Sequence, residues 1–253
     1  MSGLILKNLC KTYEIENKKV HALKNINLNI AKGSFVTIVG KSGCGKSTLL
    51  RLLCGLEKTS SGSIEFTNND NNKSPKVSIV FQEPRLMSWL TVEENMAFSL
   101  NNCKDKTYIN KTVAKYLKLL GLYEFRKAYP SQISGGMAQR TALGRTLCYD
   151  PDIILMDEPL GALDYFNRQK LQNELVNIFT KTGKTIIFVT HDVDEAISLG
   201  QKIIVLDDGY LKDTIDINMN YFRDSNSTDF LNFRKYILNK FNNFSEEDLN
   251  EIF

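Results

Sequence analysis

Residues 35–47 read FVTIVGKSGCGKS, a short β-rich run followed by a glycine-rich loop. The loop, from Gly40 to Ser47, fits the pattern G-x4-G-K-[ST], and a helical segment follows it and stops at Gly55. A loop of this pattern between a strand and a helix presents its backbone N–H groups to phosphate oxygens. The stretch therefore predicts an α/β fold built around a phosphate-binding loop, with a glycine turn that binds no ligand as the alternative.

The polar side chains of this loop have the chemistry to bind a nucleoside polyphosphate together with Mg²⁺. Lys46 would reach the β- and γ-phosphate oxygens, and the hydroxyl of Ser47 would ligate Mg²⁺. The remaining predicted nucleotide contacts are Gly40, Ser42, Gly43, Cys44, Gly45 and Thr48.

Two adjacent carboxylates follow a second apolar run. In IILMDEP, residues 153–159, Asp157 and Glu158 stand where a buried strand ends. Buried charges must be paired or bound to metal, and ligands of open α/β sheets lie at the carboxyl ends of the strands. We therefore predict that Asp157 holds the Mg²⁺ shell and that Glu158 polarises an attacking water. The alternative is that both carboxylates only cap the following turn.

The composition argues against several other classes of protein. The 253 residues carry 32 basic and 29 acidic side chains, a balance too even to indicate a nucleic-acid partner or adsorption to a membrane. Five scattered cysteines without a CxxC pair indicate reduced thiols rather than a zinc site or a disulfide framework. No run of eighteen apolar residues occurs, so we expect any role at a membrane to be peripheral.

Apolar runs of strand length alternate with helical patterns along the chain. The predicted strands are 20–30, 35–39, 77–81, 153–156, 185–189 and 203–206, and the predicted helices are 47–54, 91–100, 111–121 and 134–149. This alternation predicts a mainly parallel sheet covered on both faces. Thr91 and Glu94 match a capping box at the start of the second helix. Residues 67–75 read as an exposed turn between strands.

The chain changes character after about residue 215, where asparagine becomes frequent. We expect this tail to be an appendage on the same domain, with a helix over 229–241. Ser245 and Asp248 are spaced to cap a last turn.

A second glycine motif, ISGGMAQR at residues 133–140, has no lysine after its glycines. Ser134 opens a predicted helix, where free N–H groups and the positive end of the helix dipole suit a phosphate. We call each of these phosphate-binding segments a cradle: the first is the loop at 40–47, and the second is Ser134 with the two glycines after it. The second cradle has no lysine of its own to supply a positive charge.

These motifs occur together in one order. They are the loop at 40–47, Gln82 after a strand, ISGGMAQR, LMDEPLGALD at 155–164, and His191 after a strand. In this order, and over roughly residues 4–212, the chain resembles the nucleotide-binding subunit of ATP-binding cassette (ABC) transporters. The resemblance implies an α/β fold with a P-loop NTPase core of mainly parallel sheet, an antiparallel β subdomain and a helical subdomain over about 84–150. It also implies one nucleotide-binding domain over 1–215, a C-terminal helical extension over 216–253, and ATP with Mg²⁺ as cofactors.

The resemblance also accounts for the cradle without a lysine. In this family two subunits pair head to tail, so Ser134, Gly135 and Gly136 would clamp the γ-phosphate bound by the loop of a second copy. Asp164 matches the residue that crosses the dimer interface. The simpler alternatives are a helix N-cap for Ser134 and a surface aspartate at a helix start for Asp164.

Further roles follow from the resemblance, residue by residue. Tyr13 matches the aromatic that stacks on adenine, with a plain strand aromatic as the alternative. Gln82 resembles the residue that contacts Mg²⁺ and the water, with a strand-end amide as the alternative, and His191 matches the γ-phosphate contact. The implied catalytic set is Glu158, His191, Lys46 and Gln82, and the implied metal set is Ser47, Gln82 and Asp157.

The segment FQEPRLMSWLTVEENMAF, residues 81–98, narrows the resemblance. Together with the SGGM sequence and the chain length, this segment resembles the ATP-binding subunits of importers of nitrate, sulfonates, taurine and related small anions or thiamine precursors. Its apolar residues would receive a short helix of an integral membrane permease, or else pack internally; they are Leu86, Met87, Trp89 and Leu90. Met137 and Ala138 depart from the family motif without removing the Ser-Gly-Gly donors.

The implied function is ATP hydrolysis by a homodimer at the cytoplasmic face of a membrane, powering import through a permease served by a solute-binding protein. A subunit of another branch, such as an exporter or an amino-acid importer, is the main alternative. ABC ATPases of DNA repair insert long coiled coils between the two motifs, whereas only 86 positions separate Lys46 from Gln132 here. Translation-associated members carry two cassettes in one chain, and this chain has one set of motifs.

Overall fold

A computed structural model of the chain describes residues 2–16, 18–68, 74–161 and 163–241. The strands are β1 (Ser2–Ile15), β2 (Lys18–Ile30), β3 (Phe35–Val39), β4 (Ser61–Asn68), β5 (Val77–Val80), β6 (Ile153–Asp157), β7 (Thr185–Thr190), β8 (Lys202–Asp207) and β9 (Tyr210–Asp216). The α-helices are α1 (Lys46–Leu53), α2 (Val92–Ala97), α3 (Lys106–Leu119), α4 (Gly135–Cys148), α5 (Tyr165–Thr182), α6 (Val193–Leu199) and α7 (Thr228–Phe241). Short 3₁₀ turns cover Phe98–Leu100, Tyr123–Phe125 and Pro130–Gln132.

The larger sheet has six strands in the order β5-β6-β7-β3-β8-β9. The first five are parallel, and β9 pairs antiparallel with β8 at one edge. Every residue of β3 and β7 is buried, as expected for central strands covered by helices on both faces. The predicted parallel sheet is therefore confirmed, and the carboxyl ends of its strands meet along one edge.

The smaller sheet is antiparallel, with the strand order β2-β1-β4. The long strand β1 has no clear alternation of polar and apolar residues, because bulges interrupt its pairing between Leu6 and Leu9. Asn8 within the bulge adopts a φ of +47°, and the extra residue shifts side chains from one face to the other. This irregularity is why the sequence pattern did not predict β1.

Helix boundaries follow local capping chemistry. Thr91 and Glu94 form the predicted capping box of α2, with reciprocal bonds between side chain and backbone. Helix α3 begins five residues before the predicted start at Lys111, because the carboxylate of Asp105 accepts from the N–H groups of Thr107 and Tyr108. The predicted cap of Ser245 and Asp248, and residues 69–73 of the predicted turn, lie outside the described residues.

The elements divide into a helical group and a sheet-based core that carries the tail. Helices α2, α3 and α4 pack on one another through one apolar cluster that reaches the large sheet. The predicted helix of the tail is confirmed as α7, and it packs on α6 and β8. Within the described ranges, no helix combines the length and the apolar character that crossing a bilayer requires.

Candidate nucleotide site

The glycine-rich loop joins the end of β3 to the start of α1, as the sequence predicts. Gly45 is the N-cap of α1 with a φ of +105°, and no side-chain hydrogen bond caps the helix. The first N–H groups of α1 therefore point into the loop, where an anion can accept from them.

Two glycines of the loop have no room for a side chain. A Cβ on Gly45 would lie 2.4 Å from the carbonyl oxygen of Ala22, and a Cβ on Gly40 would lie 2.2 Å from that of Leu206. Gly43 also has a positive φ, +78°, but open space surrounds it. Glycine is thus required sterically at both ends of the loop and conformationally in its middle.

The ammonium group of Lys46 lies inside the arch of the loop. Only 5% of this residue is exposed, and its Nζ donates to the carbonyl oxygens of Gly40 at 2.8 Å and Lys41 at 2.9 Å. Oε1 of Glu158 is 3.9 Å from the same nitrogen. The lysine is therefore held at the centre of the site, between the loop and a carboxylate.

Asp157 is the last residue of β6, and its Oδ1 accepts a hydrogen bond of 3.0 Å from the hydroxyl of Ser47. Burial raises the pKa of Asp157 above its ordinary value, partly offset by that hydrogen bond. A desolvated carboxylate beside a hydroxyl suits a small hard cation, which would offset the cost of burying the charge. Ser47 and Asp157 thus fit the predicted Mg²⁺ site.

The described residues contain no group of three or more histidine, cysteine or carboxylate side chains arranged around a metal position. Mg²⁺ is commonly held by one or two protein oxygens, with the substrate phosphates and water completing its shell.

Glu158 and His191 come from neighbouring strands. Strands β6 and β7 pair in a register that sets Asp157 opposite Val189, so the residues just after these two strands lie side by side. Nδ1 of His191 is 2.9 Å from Oε2 of Glu158, and Glu158 adopts a φ of +44°, uncommon for a residue with a side chain. Strain of this kind is frequent at functional positions.

Lys46, Ser47, Asp157 and Glu158 line one cleft of about 420 Å³ at the carboxyl edge of the sheet. Its lining residues are Ala22, Ser42, Gly43, Gly45, Lys46, Ser47, Thr48, Gln82, Asp157 and Glu158. The structure therefore brings together most of the predicted loop, both carboxylates and Gln82, whereas the predicted residues Gly40, Cys44 and His191 do not line the cleft. Ala22, from β2, was not predicted, since an alanine carries no chemical signal in a sequence.

Tyr13 lies in β1 and does not line this cleft. Its hydroxyl donates to Glu57, and the ammonium of Lys11 is 4.8 Å from the centre of its ring. Burial, followed by the hydrogen bond to Glu57, raises the pKa of Tyr13. Stacking of this ring on adenine stays a prediction.

The second phosphate cradle does not line the cleft either. The hydroxyl of Ser134 caps α4 by accepting from the N–H of Met137 at 3.3 Å, and Gly135 after it is exposed. A Cβ on Gly136 would be 3.5 Å from Leu163, next to Asp164, which caps α5. The two predicted cradles thus occupy different places on one chain, and clamping by Ser134, Gly135, Gly136 and Asp164 stays a prediction.

Two polar side chains connect these regions and were not predicted: Gln139, which is buried, and Arg168, which is partly exposed. The amide of Gln139, in the ISGGMAQR motif, donates to the carbonyl oxygen of Phe81 at 3.1 Å, directly before Gln82. Arg168, in α5, donates to the carbonyl oxygen of Leu163 at 3.2 Å and reaches Asp192 at 3.4 Å. No local pattern marks such residues, because Phe81 and Asp192, the partners that join these regions, are distant in sequence.

Known proteins are similar to this chain in sequence. The family model described as ABC transporter matches residues 23–161. The aliphatic sulfonates import ATP-binding protein SsuB of Bacillus cereus is 43% identical over 239 residues, 93% of this chain and 94% of that protein. The taurine import ATP-binding protein TauB of Pelagibacter ubique is 44% identical over 209 residues, 81% of this chain and 79% of that protein.

Solved structures give the same result for the fold. A dimeric ATP-binding cassette in a post-hydrolysis state, bound to ADP and Pi, superposes with a TM-score of 0.75 at 35% identity. The match covers 86% of this chain and 100% of that chain. The predicted core of parallel sheet with antiparallel and helical subdomains is therefore confirmed.

Proposed function

Since this chain belongs to the ABC transporter family, we propose that it is the ATP-hydrolysing subunit that powers import of a small solute through a membrane permease. The relatives named for aliphatic sulfonates and taurine support a small sulfonate compound as the solute. The subunit would sit peripherally on the cytoplasmic face of the membrane, and a solute-binding protein would deliver the solute from the other side. The observation that carries the ATPase assignment is the cleft in which Lys46, Asp157 and Glu158 converge.

In this proposal, each polar group has a step in phosphoryl transfer to water. The loop N–H groups and the Lys46 ammonium bind the β- and γ-phosphates and stabilise the charge that develops on them. Ser47 and Asp157, with Gln82 beside them, would hold Mg²⁺, which neutralises phosphate charge when bound. Glu158 would orient the attacking water and accept its proton. His191, whose Nδ1 is 2.9 Å from this carboxylate, would hold it in place and contact the γ-phosphate.

Head-to-tail pairing completes the site in this proposal. Ser134 and Gly135 are exposed and lie outside the cleft, so their N–H donors reach a γ-phosphate only from a second copy of the chain. The Ser134 cradle of the second copy can bind the γ-phosphate without a lysine of its own, because Lys46 of the first copy supplies the positive charge. The dimeric state of the solved cassette supports this arrangement.

The loop after Gln82 supplies a surface for the permease. Leu86 packs against the apolar cluster of the helical group, whereas Trp89 is 74% exposed. The fully buried amide of Asn95 holds the loop by donating to the carbonyl oxygens of Met87, Leu90 and Thr91. We infer that this rigid loop presents Trp89 as an anchor for a short permease helix.

Mixing two inactive variants tests the composite site. Glu158→Gln removes the base but keeps Ser134, and Ser134→Glu blocks the cradle but keeps the base. In an equal mixture with random pairing, about half of the dimers contain one copy of each variant, and each of these has one intact site of two. The mixture should therefore recover on the order of a quarter of the wild-type ATPase rate. A mixture as inactive as its components, beside an active wild type, would refute head-to-tail sharing.

Transport is tested by reconstitution with the permease and the solute-binding protein of the same operon. ATP hydrolysis should drive uptake of a labelled alkanesulfonate or taurine into vesicles, and Glu158→Gln should abolish it. Outward movement of solute, or stimulation by amino acids alone, would favour the alternative branches of the family.

A further inference from the structure

The helix α7 makes polar contacts with two segments next to the candidate site, the phosphate loop and the first turn of α6. Near its middle, the guanidinium of Arg234 makes a bidentate pair with the carboxylate of Asp194, with Nε 2.6 Å from Oδ1. At its end, the carbonyl oxygen of Phe241 accepts from Nζ of Lys41 at 3.0 Å. A cation at the last carbonyls of a helix also interacts favourably with the helix dipole.

The first of these contacts leads to His191. Asp194 lies in the first turn of α6, and its N–H donates to the side chain of Asp192 at 2.8 Å. Asp192 is the N-cap of α6 and directly follows His191, which contacts Glu158. Arg234 therefore fixes the start of the helix on which the His191 loop depends.

The second contact leads to the phosphate loop. Lys41, whose side chain α7 holds, offers its own carbonyl oxygen to Nζ of Lys46 at 2.9 Å. The spacing fits a single rigid helix, since the seven positions from Arg234 to Phe241 span about 10 Å of α-helix. One helix thus touches the supports of both the lysine and the histidine of the site.

An apolar cluster keeps α7 in this position. Phe230 and Ile237 of the helix are fully buried with Ala196 and Ile197 of α6 and with Val39, the residue before the phosphate loop. This packing fixes the position of α7 against α6 and the sheet. The polar contacts of Arg234 and Phe241 are therefore made by a helix that is already held in place.

We propose that α7 is a positioning element of the ATPase site and that Arg234 is the positioning residue through which it sets the His191 loop. This inference rests on the proposed ATPase function and concerns how its geometry is held. A bidentate guanidinium fixes direction as well as distance, which a single ammonium does not. Loss of the pair should lower kcat by about three- to tenfold, less than the roughly hundredfold effect that a 1 Å misplacement can have.

The chain offers a matched control on the same helix. Lys240 pairs with Asp213 of β9 at 2.9 Å, and the hydroxyl of Tyr236 donates to the same carboxylate. The double variant Lys240→Gln/Tyr236→Phe removes this attachment without touching α6. Arg234→Gln and the double variant should therefore lower the melting temperature to a similar degree, whereas only Arg234→Gln should lower kcat.

The experiment compares full-length wild type, Arg234→Gln, Arg234→Lys and the double variant. In Arg234→Gln we expect kcat to fall while KM for ATP changes by less than about twofold. The reason is that the groups that bind ATP equally in the ground state and the transition state stay in place. Arg234→Lys should fall between the wild type and Arg234→Gln. Equal loss of kcat in Arg234→Gln and the double variant, or no loss in either, would overturn the proposal.

The histidine NMR signals give a readout that stability alone does not move. The chain has two histidines, and His21, bonded to Thr12 in the small sheet at 2.9 Å, serves as an internal reference. The His191 ring signal should shift in Arg234→Gln and stay in place in the double variant. If Glu158→Gln still turned over at the wild-type rate, the proposed function would fail instead, so the two failures are distinguishable.

Discussion

Nδ1 of His191 lies 2.9 Å from Oε2 of Glu158, although 33 positions separate the two residues in the chain. Parallel pairing of β6 with β7 brings them together, because each residue follows the carboxyl end of its strand. Glu158 adopts a φ of +44°, so the backbone leaves the extended conformation of β6 at this residue. The contact thus depends on strand register and on one strained residue.

The first prediction concerns Glu158→Gln. The amide keeps the size of the side chain and can still bond to His191, but it cannot accept a proton from water. We expect ATP binding to persist and phosphate release to fall by about 10²–10⁴-fold, the contribution of a positioned base. Light scattering should find a long-lived ATP-bound dimer, and turnover near the wild-type rate would count against Glu158 as the base.

The second prediction concerns the charge of Asp157. Burial raises the pKa of this carboxyl above its unfolded value, so the ionised form opposes folding at a pH above the folded pKa. Asp157→Asn keeps an acceptor for Ser47 and removes the buried charge. We therefore expect this variant to melt a few degrees higher than wild type at neutral pH without nucleotide, and to lose Mg²⁺-dependent hydrolysis.

The pH dependence checks the cause of that gain. As the pH falls through the folded pKa toward the unfolded one, the carboxyl of the wild type becomes protonated and its penalty is relieved. The advantage of Asp157→Asn, measured by calorimetry, should shrink over this range. An advantage that stays constant with pH would point to packing rather than to charge.

The third prediction concerns Gly45→Ala. The added methyl group would meet the carbonyl oxygen of Ala22 at 2.4 Å, and the φ of +105° is strained for alanine. Relief of strain of about 1–3 kcal/mol would displace the loop from the geometry that binds phosphate. If that energy is lost from binding, the affinity for ATP falls by about 5- to 150-fold. Gly43→Ala is the matched control, since its φ is +78° but its surroundings are open; calorimetric titration that finds equal losses in both variants would exclude the steric explanation.

The fourth prediction concerns Trp89, the exposed aromatic of the loop after Gln82. Trp89→Ala should leave ATP binding by the isolated subunit unchanged and weaken its assembly with the permease, with the loss of about 2 kcal/mol typical of an interface anchor. Tyr210→Ala, an exposed aromatic of β9, is the control. Normal pull-down of the permease by Trp89→Ala would place the docking surface elsewhere.

Local motifs predicted much of the fold and most of the cleft. Strand β3 was predicted at its observed bounds, and the capping box of α2 was predicted from Thr91 and Glu94. Such features are encoded within a few residues, so a pattern can reveal them. Gln139 and Arg168 were not predicted, because each binds a backbone carbonyl or a carboxylate contributed by another element.

The sequence by itself determined the chemistry of this protein: a glycine-rich loop, a lysine, a hydroxyl and paired carboxylates at the ends of apolar runs. Only the tertiary structure decided which of these groups share one cleft, and that the Ser134 cradle lies outside it. The structure also decided that helix α7 contacts both the phosphate loop and the helix after His191. The physical reason is the sequence separation of the interacting residues. Motifs reflect interactions between neighbours in sequence, whereas strand register and helix packing set the distances between residues that lie far apart in the chain.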